Sequence, residues 1–282
     1  MPRGSKRAAS RDQQPGGDGT QPAPAGEGAA RSPLPIVSGE ATLRPLKTSE
    51  SVARDVVHDI VSRGLQTGDR LPGEAAMLAE YGVSRESLRE GLRLLEVAGL
   101  IILRRGPGGG PVVGKLDPAN LGRTSSLYYH LAGGTYGELF EAWVVTESTL
   151  AERAARNPDR DLVRAAMQPY LGDGGHIDAE GLPSFVQTHS QFHAVVGSLS
   201  RNKVLEVMLQ TIGQIVTHHV VVNADPREME EAIISDHAAV ALAVADGRPT
   251  KANALMQTHI ERMVDFYKTH HGNEMHQFIE WR

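Results

Sequence analysis

Gly82-Val83-Ser84-Arg85-Glu86-Ser87-Leu88-Arg89-Glu90-Gly91-Leu92-Arg93-Leu94-Leu95-Glu96 is the stretch whose reading decides the fold. Ser84 is a good helix N-cap, because its hydroxyl can accept from a backbone N–H that the first turn leaves unpaired. Beyond it, Leu88, Leu92 and Leu95 fall on one helical face, while Arg85, Arg89 and Arg93 recur every four residues on another. One face suits a core; the other suits a partner rich in hydrogen-bond acceptors.

The flanking residues decide between this and an ordinary charged surface helix. Upstream, Leu71-Pro72-Gly73-Glu74-Ala75-Ala76-Met77-Leu78-Ala79-Glu80-Tyr81 reads as a short helix whose Met77, Leu78 and Tyr81 pack under the second. Gly82 supplies the tight turn between them. A first helix is expected from Ser49 or Ser51 to Arg63, with Val52, Val56, Ile60 and Val61 at helical spacing, followed by a turn over 65–72. Downstream, an apolar strand over 99–103 runs into Arg104-Arg105-Gly106-Pro107-Gly108-Gly109-Gly110 and returns through Pro111-Val112-Val113-Gly114. A glycine-rich hairpin placed there is a wing.

Taken together, residues 50 to 115 resemble the winged helix of the GntR superfamily of bacterial transcription regulators. The resemblance implies double-stranded operator DNA as the partner, read by Ser84, Arg85 and Arg89, with Arg105 and Gly106 at the wing tip reaching the minor groove. Arginine suits the task independently, since it can pair bidentately with guanine or clamp a phosphate. Arg93 lies a turn deeper and serves equally well as a surface or ion-pair residue. Ala75 stands where the family often has a DNA-contacting arginine, and Glu86 where a small hydroxyl residue is common, so the operator sequence is not carried over.

The net charge of −5 and pI near 6.2 exclude a uniformly basic coat, so any DNA contact must be local. Absence of cysteine excludes disulfides and thiolate ligands. Residues 1–44, rich in Gly, Pro, Ala and Ser, are expected to form a disordered tail, with a winged helix-turn-helix over 45–115, a helical effector-binding and dimerisation domain over 116–272 and a C-terminal tail over 273–282. The basic N-terminus lacks the apolar segment of a signal peptide, and an apolar run such as 238–245 is far too short to span a bilayer. A cytoplasmic protein with no membrane partner is expected.

Past Lys115 the pattern is helical, with candidate helices over 118–130, 137–155, 160–171, 181–198, 202–222, 227–246 and 249–270. The expected fold is therefore mainly α: a three-helix winged helix-turn-helix with a small β-wing, followed by an all-α bundle. Eleven of the twelve histidines lie in this second part. His189 and His193 share a helical face, and His237 and His259 lie on two later helices. Imidazoles from three helices could converge on a metal, zinc or nickel before others for all-nitrogen ligation, or could be ordinary surface and core histidines. Adjacent His218 and His219 point about a hundred degrees apart, so at most one faces inward, and His270, His271 and His276 read as a frayed terminus.

Phe192-His193, Asn202, Asp236-His237 and His259 resemble the FCD ligand-binding domain of the FadR subfamily within GntR. That resemblance implies a divalent metal held by His193, His237 and His259, with His189 at the position where the family usually has aspartate. Loss of that charge disfavours harder ions such as manganese or magnesium. Trp143 stands where the family often has an arginine for an organic acid's carboxylate, which points to a bulkier or less charged effector or to plain core packing. Glu147 and Arg153 fit the same helix as an ion-pair or pocket-facing set, or equally as part of a solvated face. The resulting expectation is a homodimeric, ligand-responsive regulator, most often a repressor, on a near-palindromic operator. Its small-molecule effector is an organic acid or a less charged molecule. The alternatives are a metalloenzyme, against which stands the lack of a general base placed beside the histidines unless Asp236 or Glu261 serves, and a metal-sensing regulator.

Overall fold

A computed structural model of the chain describes residues 45–106, 108–171, 182–219 and 225–281. The 1–44 tail, Pro107 of the wing and the ends of two expected helices lie outside the described residues.

The first half is built from α1 (Thr48–Ser62), α2 (Glu74–Tyr81), α3 (Arg85–Val97) and an antiparallel pair, β1 (Ile101–Arg104) and β2 (Gly110–Val113), registered Ile101 to Val113 and Arg104 to Gly110. Ser84 caps α3 by accepting from Ser87 N–H, and Gly82 ends α2 in the left-handed region at φ 63°. Leu88, Leu92 and Leu95 are all buried, against Val52, Val56, Met77 and Ile101. Each such side chain contributes about 1.5–3 kcal/mol over an exposed one. Gly91 lets α1 and α3 approach closely: a Cβ there would lie 2.8 Å from Ser49 O. The expected turn over 65–72 also lends an edge to the sheet, with Arg70 bridged to Val112 and Leu71 N–H donating to Pro111 O.

The second half comprises α4 (Pro118–Ala132), α5 (Tyr136–Ala155), α6 (Arg160–Met167), α7 (Leu182–Leu199), α8 (Lys203–His219), α9 (Glu230–Ala245) and α10 (Pro249–His271). Asp117 and Thr135 cap α4 and α5, the latter in a reciprocal box with Glu138. The expected helix over 160–171 tightens into a 3₁₀ turn at Gln168–Tyr170, because Pro169 lacks the N–H that an α-turn would use. Its counterpart over 227–246 likewise begins with a 3₁₀ turn, Pro226–Met229. Phe140, Phe185, Phe192, Met256, Ile260 and Tyr267 fill the core.

The frayed tail expected at 273–282 is corrected by the structure. Ile279 is buried, its N–H donates to Gly134 O, and Gln277 O accepts from Tyr136 N–H ahead of α5. Met275 and Ile279 carry apolar surface that a solvated tail would leave in water. No helix among the described residues is long and apolar enough to cross a membrane.

Candidate DNA interface and metal centre

At the N-terminus of α3 the arginines are exposed, with about 70% of each side chain open to solvent. They are not free. Arg85 donates to Glu74 Oε1 at 3.1 Å, and Arg89 donates to Oε1 and Oε2 of the same carboxylate at 3.2 and 3.3 Å. Arg93 pairs with Glu96 at 2.6 Å, an ordinary surface ion pair. Glu74 was not singled out from sequence, because nothing in its spacing of eleven and fifteen residues from the two arginines marks a contact across helices. Ser84 Oγ is occupied as the cap and by Ser87 Oγ. Arg105 and Gly106 sit exposed at the wing tip, where Gly106 adopts φ 93° and its carbonyl accepts from Gly109 N–H. Ala75 and Glu86 are exposed, and Glu86 makes no ion pair among the described residues.

In the helical half, His189 and His193 of α7, His237 of α9 and His259 of α10 converge. One donor atom from each lies within 4.8 Å of the others. His189 Nδ1, both nitrogens of His193, and Nε2 of His237 and His259 are sealed from solvent without a hydrogen-bond partner among the described residues. His189 is half-buried as a residue, while its Nδ1 is enclosed. Burial, reinforced by neighbouring imidazoles, holds His189 and His237 well below the usual histidine range. Burial also lowers His259, against the opposing effect of its hydrogen bond to the Asp236 carboxylate. Neutral imidazoles with unshared lone pairs facing one another are what a divalent ion requires. The donor set therefore fits a metal, and its all-nitrogen composition fits borderline ions.

Carboxylates stand behind two of the rings. His259 Nδ1 lies 3.2 Å from Asp236 Oδ2, which Arg262 also holds, so Nδ1 carries the proton and Nε2 presents its lone pair. Glu147, 1% exposed, brings Oε1 to 2.8 Å from His193 Nδ1, off the line of a hydrogen bond, and accepts from Trp143 Nε1 at 3.2 Å. Glu147 Oε2 has no hydrogen-bond partner among the described residues. Trp143 and Glu147 line a cavity of about 260 Å³ that also touches His189 and His193.

Other sequence candidates fall elsewhere. Arg153 is exposed on α5, away from Glu147, because six residues turn it to another helical face. Glu261 bonds Gln257 on the surface. Of the adjacent pair, His219 is buried against Tyr136 OH and His218 is exposed. Asn202 caps α8, its Oδ1 accepting from Val204 and Leu205 N–H.

Comparison with known families matches both halves. A model described as "Bacterial regulatory proteins, gntR family" matches residues 48–110, and one described as "FCD domain" matches residues 138–262. The chain belongs to the GntR family. Its FCD domain is the effector-binding part of a transcriptional regulator, and the matched domains and relatives are regulators rather than enzymes. The metalloenzyme alternative is thereby set aside. Among the relatives is the uncharacterized HTH-type transcriptional regulator YcbG of Bacillus subtilis (strain 168), 25% identical over 77% of this chain and 88% of that protein. Another is the HTH-type transcriptional repressor NanR of Edwardsiella tarda (strain FL6-60), 24% identical over 80% of this chain and 88% of its own length. The solved structure titled Streptococcus agalactiae GntR has the same fold, with a TM-score of 0.59 at 21% identity over 76% of this chain and 98% of that one.

Proposed function

We propose that this GntR protein is a cytoplasmic repressor that binds a near-palindromic operator as a homodimer and is released by a small molecule in a metal-containing FCD domain. Residues 45–115 form the DNA-binding unit and 116–272 the effector and dimerisation unit. Arg85 and Arg89 read bases, Ser84 sets the start of the reading helix, and Arg105 with Gly106 enters the minor groove.

The observation that carries the regulatory reading is the convergence of four histidines, three of them buried and one half-buried, beside a cavity. His189, His193, His237 and His259 would hold the metal, with zinc or nickel favoured over harder ions. When bound, the ion supplies a structural tie between α7, α9 and α10 and a Lewis-acidic wall to the cavity. Asp236 orients the His259 ring, and Glu147 with Trp143 forms the rim between cluster and cavity. An effector acts through its differential affinity for the two settings of the DNA-binding halves.

The test is DNA binding by purified protein on its own upstream region, run untreated, after chelation, and after adding back zinc or nickel. Specific binding that survives chelation supports a regulator with an accessory metal. Binding that follows the metal reversibly turns the reading to a metal sensor. No specific binding in any run overturns the operator reading.

A further inference from the structure

A second cavity, apart from the histidine cluster, lies where α4 meets α8. Gly122 lets the two helices cross closely, since a Cβ there would lie 3.2 Å from Gln214 Cβ. Beside the crossing, a space of about 220 Å³ is lined by Gly122, Arg123 and Ser126 of α4 and by Gln214, His218 and His219 of α8. Ser126 and His219 are buried, so the space has a polar floor as well as an open rim.

The charge of this lining has one sign. Arg123 carries a guanidinium that does not lose its proton, and no carboxylate lines the cavity among the described residues. Arg156, Arg164, Arg227 and Arg262 of the same helical half each pair with an acid, whereas Arg123 makes no ion pair among the described residues. The neighbouring polar groups are mostly committed. Ser126 Oγ donates to Arg123 O, His218 Nδ1 donates to Gln214 O, and His219 Nδ1 meets Tyr136 OH. The half-buried Gln214 amide makes no hydrogen bond among the described residues, which leaves its N–H groups as donors beside the guanidinium.

We propose that this cavity holds a small oxyanion, a phosphate or a carboxylate, against the Arg123 guanidinium with the Gln214 amide as second donor. A guanidinium presents two parallel N–H groups to two oxygens of such a group. The volume is below the 300–1,000 Å³ or so of ordinary small-molecule sites, so the occupant has only a few heavy atoms. The site draws on neither the metal nor the effector reading.

Inorganic phosphate and acetate are the probes, each titrated into full-length protein at constant ionic strength set with potassium chloride. Binding is read from broadening of the phosphate ³¹P line and the acetate methyl line. Gln214 also lines the cavity beside the histidines, so Arg123 is the residue to alter. Arg123→Gln should bind at least tenfold more weakly, the factor that a charge-assisted hydrogen bond supplies. Arg123→Lys, which keeps the charge and loses the fork, should fall between the two. Arg105→Gln, on the wing, should bind as wild type. Circular dichroism and thermal unfolding verify that each variant folds.

Acetate that displaces phosphate makes the site one for either oxyanion, and phosphate that acetate does not displace narrows it to phosphate; both support the proposal. Equal binding by wild type and folded Arg123→Gln protein overturns it. So does a loss confined to Arg105→Gln, which would move the anion to the DNA-binding half, and so does the absence of broadening for both probes.

Discussion

Stripping the proposed metal from the FCD domain gives the sharpest test of the histidine cluster. A ligand that binds only the folded state, present at a thousandfold over its Kd, contributes about 4 kcal/mol. An independent estimate comes from the rings themselves. At least one enclosed nitrogen on each of His189, His193, His237 and His259 lacks a protein partner among the described residues. At about 1–3 kcal/mol each, their exposure to an empty interior costs roughly 4–12 kcal/mol before relaxation or water recovers part. The two estimates meet near 4 kcal/mol, which for a unit of this size lowers Tm by about 8–16 °C. Calorimetry before and after chelation, with metal content measured on both samples, checks it. His237→Ala should show the lowered Tm from the outset and no further fall on chelation. His218→Ala, whose exposed ring only bonds Gln214 O, should behave as wild type. A chelated, metal-free wild type that melts where the untreated protein does would refute the reasoning, as would full metal occupancy in His237→Ala.

Three further outcomes are expected. Arg85→Ala or Arg89→Ala should each weaken operator binding by about 1–3 kcal/mol and relax specificity at one base position, measured by fluorescence anisotropy on a set of single-base operator variants; wild-type affinity in both would remove them from the reading set. Gly91→Ala gains about 1 kcal/mol in helix propensity but drives a Cβ to 2.8 Å from Ser49 O and Val52 Cγ1, an overpacking of about 1–3 kcal/mol, so urea unfolding should show a net loss. Glu74→Gln should leave the fold intact, raise affinity for non-operator DNA and steepen its salt dependence, because two guanidinium groups become available to phosphates.

Local order was legible in the sequence wherever one helix or turn decides it. The face made by Leu88, Leu92 and Leu95, the Ser84 cap and the left-handed turn at Gly82 all follow from spacing and backbone preference, and the structure has each. His189 and His193 share a face for the same reason. That His237 and His259 meet them depends on how three helices cross, which periodicity does not encode; the family resemblance supplied it. Glu147 stood out only as a carboxylate on the Trp143 helix, and its wedge between Trp143 and His193 is a tertiary fact. Glu74 carried no signal at all. The packed C-terminus was misread because polar residues around Met275 and Ile279 outnumber the two apolar anchors that dock it.

The charges of the DNA-binding half divide by position, and the division bears on how an acidic protein finds DNA. Arg85, Arg89 and Arg93 of α3 are each paired with a glutamate, whereas Arg70, Arg104 and Arg105 make no ion pair among the described residues. Arg70 lies beside the wing, its guanidinium 4.0 Å from where a Gly108 Cβ would stand. If these residues contact DNA as proposed, capture through phosphates would fall to the wing, where the charge is unopposed. The α3 arginines leave Glu74 only for an acceptor that does better. An exposed pair contributes about 0.2–1 kcal/mol, while a bidentate contact to the right base is worth about 1–3 kcal/mol. A single phosphate, screened by salt, does not reliably exceed the pair; a correctly placed guanine does. On the proposed reading, the carboxylate that pairs with both arginines would keep them off non-operator DNA. On this account Arg105→Ala lowers the salt slope on all DNA, and Arg85→Ala lowers affinity only where its base is present.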